Sequence, residues 1–175
     1  MIEKTIEEKL LIIFNNVNDW LKFAEAKNAV LIGFIGAALI GVFSSWTSLN
    51  PEHQLLIKYI FFPIEICALL VSFYSFLPDL KLFERTSKKK SKKSRKDGIN
   101  LYFFGHLKDL TKEHLLKELY NPSCPEKFSR FELDLAYQIT INSDITWKKY
   151  IAFKLSGYLS LTGIILTIAG LLILC

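Results

Sequence analysis

Apolar and polar positions along the 175-residue chain fall into separate blocks. Near the start, apolar side chains recur at Ile2, Ile6, Leu10, Ile13, Phe14, Val17, Leu21 and Ala24, steps of three and four that predict a long amphipathic helix. Its apolar stripe must be covered, either by another helix of the chain or by a second copy. No proline or glycine intervenes before Gly33, so the helix is expected to run on into the first of three apolar stretches. Residues 28–51 carry no charge, 59–78 carry only Glu65, and 155–175 are uncharged. The last stretch would span about 32 Å as a helix, enough for a hydrocarbon core of about 30 Å.

The third stretch has a polar approach. Ser129-Arg130-Phe131-Glu132 is a helix-start signal, since a serine and a glutamate three residues later can satisfy each other's backbone amides. Phe128, Phe131, Leu135, Ile139 and Ile145 then repeat with helical period. Trp147-Lys148-Lys149-Tyr150 has the composition of a membrane interface, and Lys154 is the last charge. No proline follows Phe131. The pattern therefore predicts an all-α membrane protein with three transmembrane helices and a cytoplasmic helical module, the third span being continuous with a long cytoplasmic helix. The expected order is an amphipathic helix (1–27), span one (28–50), a short external link (51–58), span two (59–78), a basic linker (79–98), the helical module (99–154) and span three (155–175).

Charge sets the orientation. Residues 79–154 hold 17 of the 22 lysines and arginines, while the link between spans one and two holds only Lys58. Basic residues near a membrane stay on the cytoplasmic side, so the N-terminus and the middle segment are expected there and the C-terminus outside. The first apolar stretch follows a helix rich in Glu and Asp, unlike a cleavable signal. In the tract 88–96, seven basic residues in nine repel one another and favour a linker lying along anionic headgroups. The interleaved serines are poor for nucleic acid, which is not expected as a partner.

Individual residues stand out within the spans. Gly33, Ala37 and Gly41 place small side chains on one face, as close helix approach in lipid requires, either within the chain or between subunits. Asn50-Pro51-Glu52 reads as a helix start. Pro63 and Glu65 are anomalous. A carboxylate at membrane depth calls for a partner, water or a proton, unless it lies near the outer headgroups. Cys67, Cys124 and Cys175 are too scattered for a bridge or a metal site, and the three histidines are dispersed. No hydrolase, metalloprotease, P-loop or dinucleotide motif is present, so neither enzymatic activity nor a cofactor is expected.

The most distinctive soluble stretch is Asn100-Leu101-Tyr102-Phe103-Phe104-Gly105-His106. It fits a hydrophobic plug holding the module together. It also fits a ligand wall where rings stack on a base and Asn100 and His106 offer hydrogen bonds. Thr111 caps a following helix that Asn121-Pro122 and Cys124-Pro125 terminate.

This stretch, together with Trp20-Leu21-Lys22-Phe23-Ala24-Glu25-Ala26-Lys27 and with Asp134-Leu135-Ala136-Tyr137-Gln138-Ile139, Asn142-Ser143, Ile145 and Lys148-Lys149-Tyr150, resembles the Pycsar transmembrane effectors of bacterial antiphage defence. The resemblance implies an inner-membrane protein sensing a cyclic pyrimidine mononucleotide, cCMP or cUMP, made by a partner cyclase. It further implies disruption of the membrane by spans that assemble, as a homo-oligomer, or rearrange. The matched stretches nominate Asn100, Tyr102, Phe104 and His106 for the base, and Lys27, Arg130 and Lys148 or Lys149 for the phosphate. Glu65, Gly33 and Gly41 are nominated for the membrane step. The alternative is a constitutive membrane scaffold or small channel subunit with no nucleotide ligand.

Overall fold

The computed structural model describes residues 5–77, 99–120 and 127–174. The linker 79–98 with its basic tract, the loop containing Asn121-Pro122 and Cys124-Pro125, Ile2 and Cys175 lie outside the described residues. Helix α1 is Ile6–Ser44; α2 is Pro51–Phe76; α3 and α4 are the short helices Phe104–Leu107 and Lys112–Tyr120; α5 is Arg130–Leu174. No strand occurs among the described residues. Helices α1, α2 and α5 are each long and apolar enough to cross a membrane. Helix α2 begins at Pro51, as Asn50-Pro51-Glu52 predicts, directly after the turn between the first two spans. That turn lies at residues 45–50, fastened by Gln54 Nε2 donating to the carbonyls of Trp46 (3.1 Å) and Leu49 (3.0 Å), and residues 51–58 are already helical. Asn50 precedes the helix with no side-chain cap bond, and Pro51 opens it.

Two helix starts use the same device. The Thr5 amide donates to Glu8 Oε2 (2.9 Å) while the Glu8 amide donates to Thr5 Oγ1 (3.2 Å). Ser129 and Glu132 repeat this at 2.8 and 3.2 Å, so two otherwise orphaned amides are satisfied at each end. Thr111 Oγ1 accepts from the His114 amide at α4.

The chain divides into two compact units, Met1–Phe23 with Asp79–Lys148, and Ala24–Pro78 with Lys149–Cys175. In the first, the stripe of α1 is buried at Leu10, Ile13 and Val17, and Leu107, Leu115 and Leu116 complete the core from α3 and α4. Asn142 Nδ2 donates to Asn18 Oδ1 (2.8 Å), so α1 is covered by the polar half of α5. The buried face of α5 keeps Ile139 of the expected stripe but is turned away from Phe131. Phe131 is 51% exposed, whereas Glu132, Ala136, Ile139, Ser143 and Thr146 are buried. Small side chains allow closer helix approach than the larger apolar ones do. The hydroxyls are neutralised within the helix, Ser143 Oγ donating to the Ile139 carbonyl and Thr146 Oγ1 to that of Asn142, both at 2.7 Å.

In the second unit α2 and α5 run antiparallel. Ser72 Oγ donates to Ser156 Oγ (2.7 Å), Ser156 Oγ donates to the Ala68 carbonyl (2.7 Å), and further along Gly163 faces Ile64 and Gly170 faces Leu56. The face of α5 that meets α2 is thus Ser156, Ser160, Gly163, Thr167 and Gly170, small residues at steps of three and four. Within α2, residues Ile57–Phe61 form a π-helical turn just before Pro63. Proline has no amide hydrogen and crowds the carbonyl four residues back, and the wider turn relieves both.

Glu132 links the first unit's elements, because its carboxylate also accepts from the Tyr120 hydroxyl at the end of α4. Burial pushes its pKa up, but the hydrogen bonds from Tyr120 and Ser129 prevail and hold the carboxyl below the usual range. Its contribution is therefore complete above the ordinary carboxylate range and is lost as pH falls through the lowered folded-state value. Glu132→Gln is expected to lower stability by about 1.5–3 kcal/mol at neutral pH, with a gap from wild type that narrows in acid. Thermal melts of the detergent-solubilised chain across pH check this; a gap constant with pH would refute it.

Candidate functional site

The aromatic stretch is fixed by its own backbone. The Asn100 amide donates to His106 Nδ1 (3.1 Å), and the Tyr102 amide donates to Asn100 Oδ1 (2.9 Å). A neutral His106 in this arrangement carries its hydrogen on Nε2. Asn16 Nδ2, on α1, donates to the Tyr102 carbonyl (2.7 Å). Phe103 folds back so that a Cβ at position 105 would lie 2.5 Å from its Cε1, and any larger residue there would have to displace the ring. Of the four residues nominated for the base, Asn100 and His106 are hydrogen-bonded to each other, Tyr102 points its ring outward at 59% exposure, and Phe104 is buried.

Phe104 is the centre of a larger cluster. Its ring centroid lies 5.0 Å from Phe103, 5.6 Å from Trp20 and 6.4 Å from Trp147. Trp20 and Trp147 remain 38% and 37% exposed. Lys108 Nζ sits 4.8 Å over the Trp147 ring while paired with Asp109 at 2.9 Å. Trp147 reads in sequence as part of the membrane girdle, yet it belongs to this cluster, and neither it nor Lys108 was nominated from sequence. The only signal for either was spacing, Lys108 lying one helical turn beyond Phe104.

The nominated cations are separated by unit. Arg130 and Lys148 lie in the first, each exposed and in an i, i+4 ion pair, with Asp134 (3.8 Å) and Asp144 (3.2 Å). Lys27 and Lys149 lie in the second. Lys27 Nζ lies over Tyr150 (5.5 Å) and Phe153 (5.6 Å). Lys149 is 11% exposed, pairs with Glu25 (3.3 Å), donates to the Ser75 carbonyl (3.0 Å) and lies over Phe76 (5.8 Å). Both have the interactions of structural anchors.

Among the residues nominated for the membrane step, Glu65 is wholly buried in the seam between α2 and α5. Gly33 and Gly41 behave oppositely, with open space where a Cβ would be, as at Gly36. Packing of this face against the chain's own spans is therefore not what occurs. The close-approach glycines are Gly163 and Gly170, which α5 carries at a seven-residue spacing.

Three helices able to cross a bilayer, with a separate helical unit built on the polar halves of two of them, define an all-α membrane protein. The family model of the Pycsar effector protein domain matches residues 9–175, and the chain belongs to that family. Membership places it in antiphage defence by cyclic-pyrimidine signalling, as the membrane-bound effector of a system whose signal a partner cyclase makes. No curated protein and no solved structure matches the chain.

The two sets of glycines predict opposite outcomes. At Gly163 a new Cβ would lie 2.9 Å from Ile64 Cγ2 and 3.1 Å from Glu65 Oε1, so Gly163→Leu overpacks the seam and should cost about 1–3 kcal/mol. Gly33→Ala and Gly41→Ala meet nothing, and with only helix propensity changed they should leave stability level or raise it by up to about 1 kcal/mol. Melting of the full chain in detergent distinguishes the two.

Proposed function

We propose that the first unit binds a cyclic pyrimidine mononucleotide, cCMP or cUMP, and that binding makes the spans rearrange or assemble so that the inner membrane loses its barrier and the infected cell stops supporting phage. The observation that carries this reading is the cluster of Trp20, Phe103, Phe104 and Trp147, with two partly exposed tryptophans to stack on a base. The locked Asn100–His106 pair beside it offers polar groups for the base edge, and Lys108, whose ammonium lies over the Trp147 ring, offers a cation for the phosphate. Arg130 and Lys148 remain secondary candidates. Lys27 and Lys149 serve the spans instead. The open face at Gly33 and Gly41 supports assembly into a homo-oligomer, and the basic-residue asymmetry supports a cytoplasmic N-terminus and middle segment with an external C-terminus.

The burial of Phe104 favours a second reading, in which the cluster is only packing and the protein is a constitutive scaffold or channel subunit. Calorimetry separates the two. Titration of the folded, solubilised chain with cCMP and cUMP should give heat that cAMP does not match, and Trp147→Ala should weaken the affinity about 5- to 150-fold, as expected for one lost stacking partner. No heat with either pyrimidine would end the sensor reading.

Helix α5 contributes to both units without a break. Ile145→Pro, which removes a helical hydrogen bond near the junction, should leave nucleotide binding within a few-fold of wild type and abolish toxicity in cells. Equal loss of both would mean that α5 only builds the fold.

A further inference from the structure

Between residues 28 and 44 α1 has no charged side chain, between 155 and 174 α5 has none, and past Lys58 α2 has only Glu65. That carboxyl group is 0% exposed, and neither of its oxygens makes a hydrogen bond. Ser160 is its polar neighbour on α5, near enough for its hydroxyl to interact with the carboxyl though outside strict hydrogen-bond geometry. Gly163 approaches so closely that a Cβ there would lie 3.1 Å from Oε1. The remaining hydroxyls of the seam are committed elsewhere, Ser72 to Ser156, Ser156 to the Ala68 carbonyl, and Thr167 to the Gly163 carbonyl.

An ionised carboxylate here would have no cation and a single hydroxyl, that of Ser160, to turn towards it. Lys58 is seven residues back along α2, about 10 Å at helical rise. On the helices packed around it the charges closest in sequence are Lys27 of α1 and Lys154 of α5, with Lys149 already paired to Glu25. Leaving a bare carboxylate in such a site costs several kcal/mol, whereas the neutral acid costs far less. A metal site is built from three or more protein ligands, and among the described residues no such group of acidic, histidine or cysteine side chains occurs. The ligand that fits is the smallest one.

We propose that Glu65 is a proton-binding site. Its carboxyl carries a proton at neutral pH while α2 and α5 are closed on each other, and the neutral acid is what permits Gly163 to lie against it. Loss of that proton to water leaves an anion that must be hydrated, which draws water between Ser160, Gly163 and Ile64 and parts the seam. The proposal does not depend on the nucleotide.

The test is infrared difference spectroscopy of the full chain in phosphatidylethanolamine–phosphatidylglycerol liposomes, wild type against E65Q. At neutral pH the wild type should show the carbonyl stretch of a protonated carboxylic acid, absent from E65Q and replaced by carboxylate bands as the pH is raised. Only carboxylate bands at neutral pH would overturn the assignment. Should E65Q fail to insert, the wild-type spectrum decides alone, because Glu65 is the sole acidic side chain within the spans. Proton leak through the same liposomes without nucleotide should rise in alkali for wild type and stay flat for E65Q; equal leak in both would overturn the parting of the seam.

Discussion

The membrane unit depends on one ammonium group. Lys149 sits where α1, α2 and α5 meet, and its nitrogen is shared by the Glu25 carboxylate, the Ser75 carbonyl and the Phe76 ring. The Ser75 carbonyl belongs to the last turn of α2, where no further residue of the helix donates to it, so the lysine supplies a charge-assisted donor to an orphaned acceptor. Asn28 Nδ2 adds a bond to Ser75 Oγ at 2.8 Å, joining α1 to the same point. With 11% exposure the ammonium is poorly solvated, and removing it would leave the carbonyl end of α2 without its donor while the half-exposed Glu25 turned to water. This fixes the register of three apolar helices, which lipid contact alone leaves free to slide.

Away from that point, α2 and α5 are held by shape. Hydrophobic burial gives no preference for helix over lipid, so association requires close contact and polar pairing. Both are present on one face of α5, where Ser156 and Ser160 give way to Gly163 and Gly170. The glycines of α1 lack such contacts and face outward beside exposed Val30 and Phe34. The same residue type thus performs two roles in adjacent spans.

Much of this organisation was legible in the sequence. The stripe at Leu10, Ile13 and Val17 is inward, α1 and α5 run unbroken into their spans, and Ser129-Glu132 caps as its spacing implies. These are local rules, set by period and by bonds a few residues apart. What the sequence hid is relational. Phe131 has the periodicity of a core residue but is exposed, because the buried face, built on Ala136, Ile139 and Ser143, is centred about a quarter-turn round the helix from it. Gly33 and Gly163 cannot be told apart by composition, since neither reveals which neighbour it meets. In the candidate site, Phe104 and the Asn100–His106 pair were visible as one short stretch. Trp20 and Trp147, separated from that stretch by more than forty residues in either direction, join it only through the fold.

Pro63 shows how a local defect sets a distant contact. Leu56 precedes Glu65 by nine residues, which in an uninterrupted α-helix would turn them about 180° apart. The π-helical turn at Ile57–Phe61 absorbs one extra residue, leaving about 80° between them. Both can then serve the same neighbour, Glu65 against Gly163 and Leu56 against Gly170 two turns further on. The proline is therefore tolerated because the wider turn it favours is the turn the seam needs. Without it, either Glu65 or Leu56 would face lipid, and of the two only Leu56 could remain there without a partner.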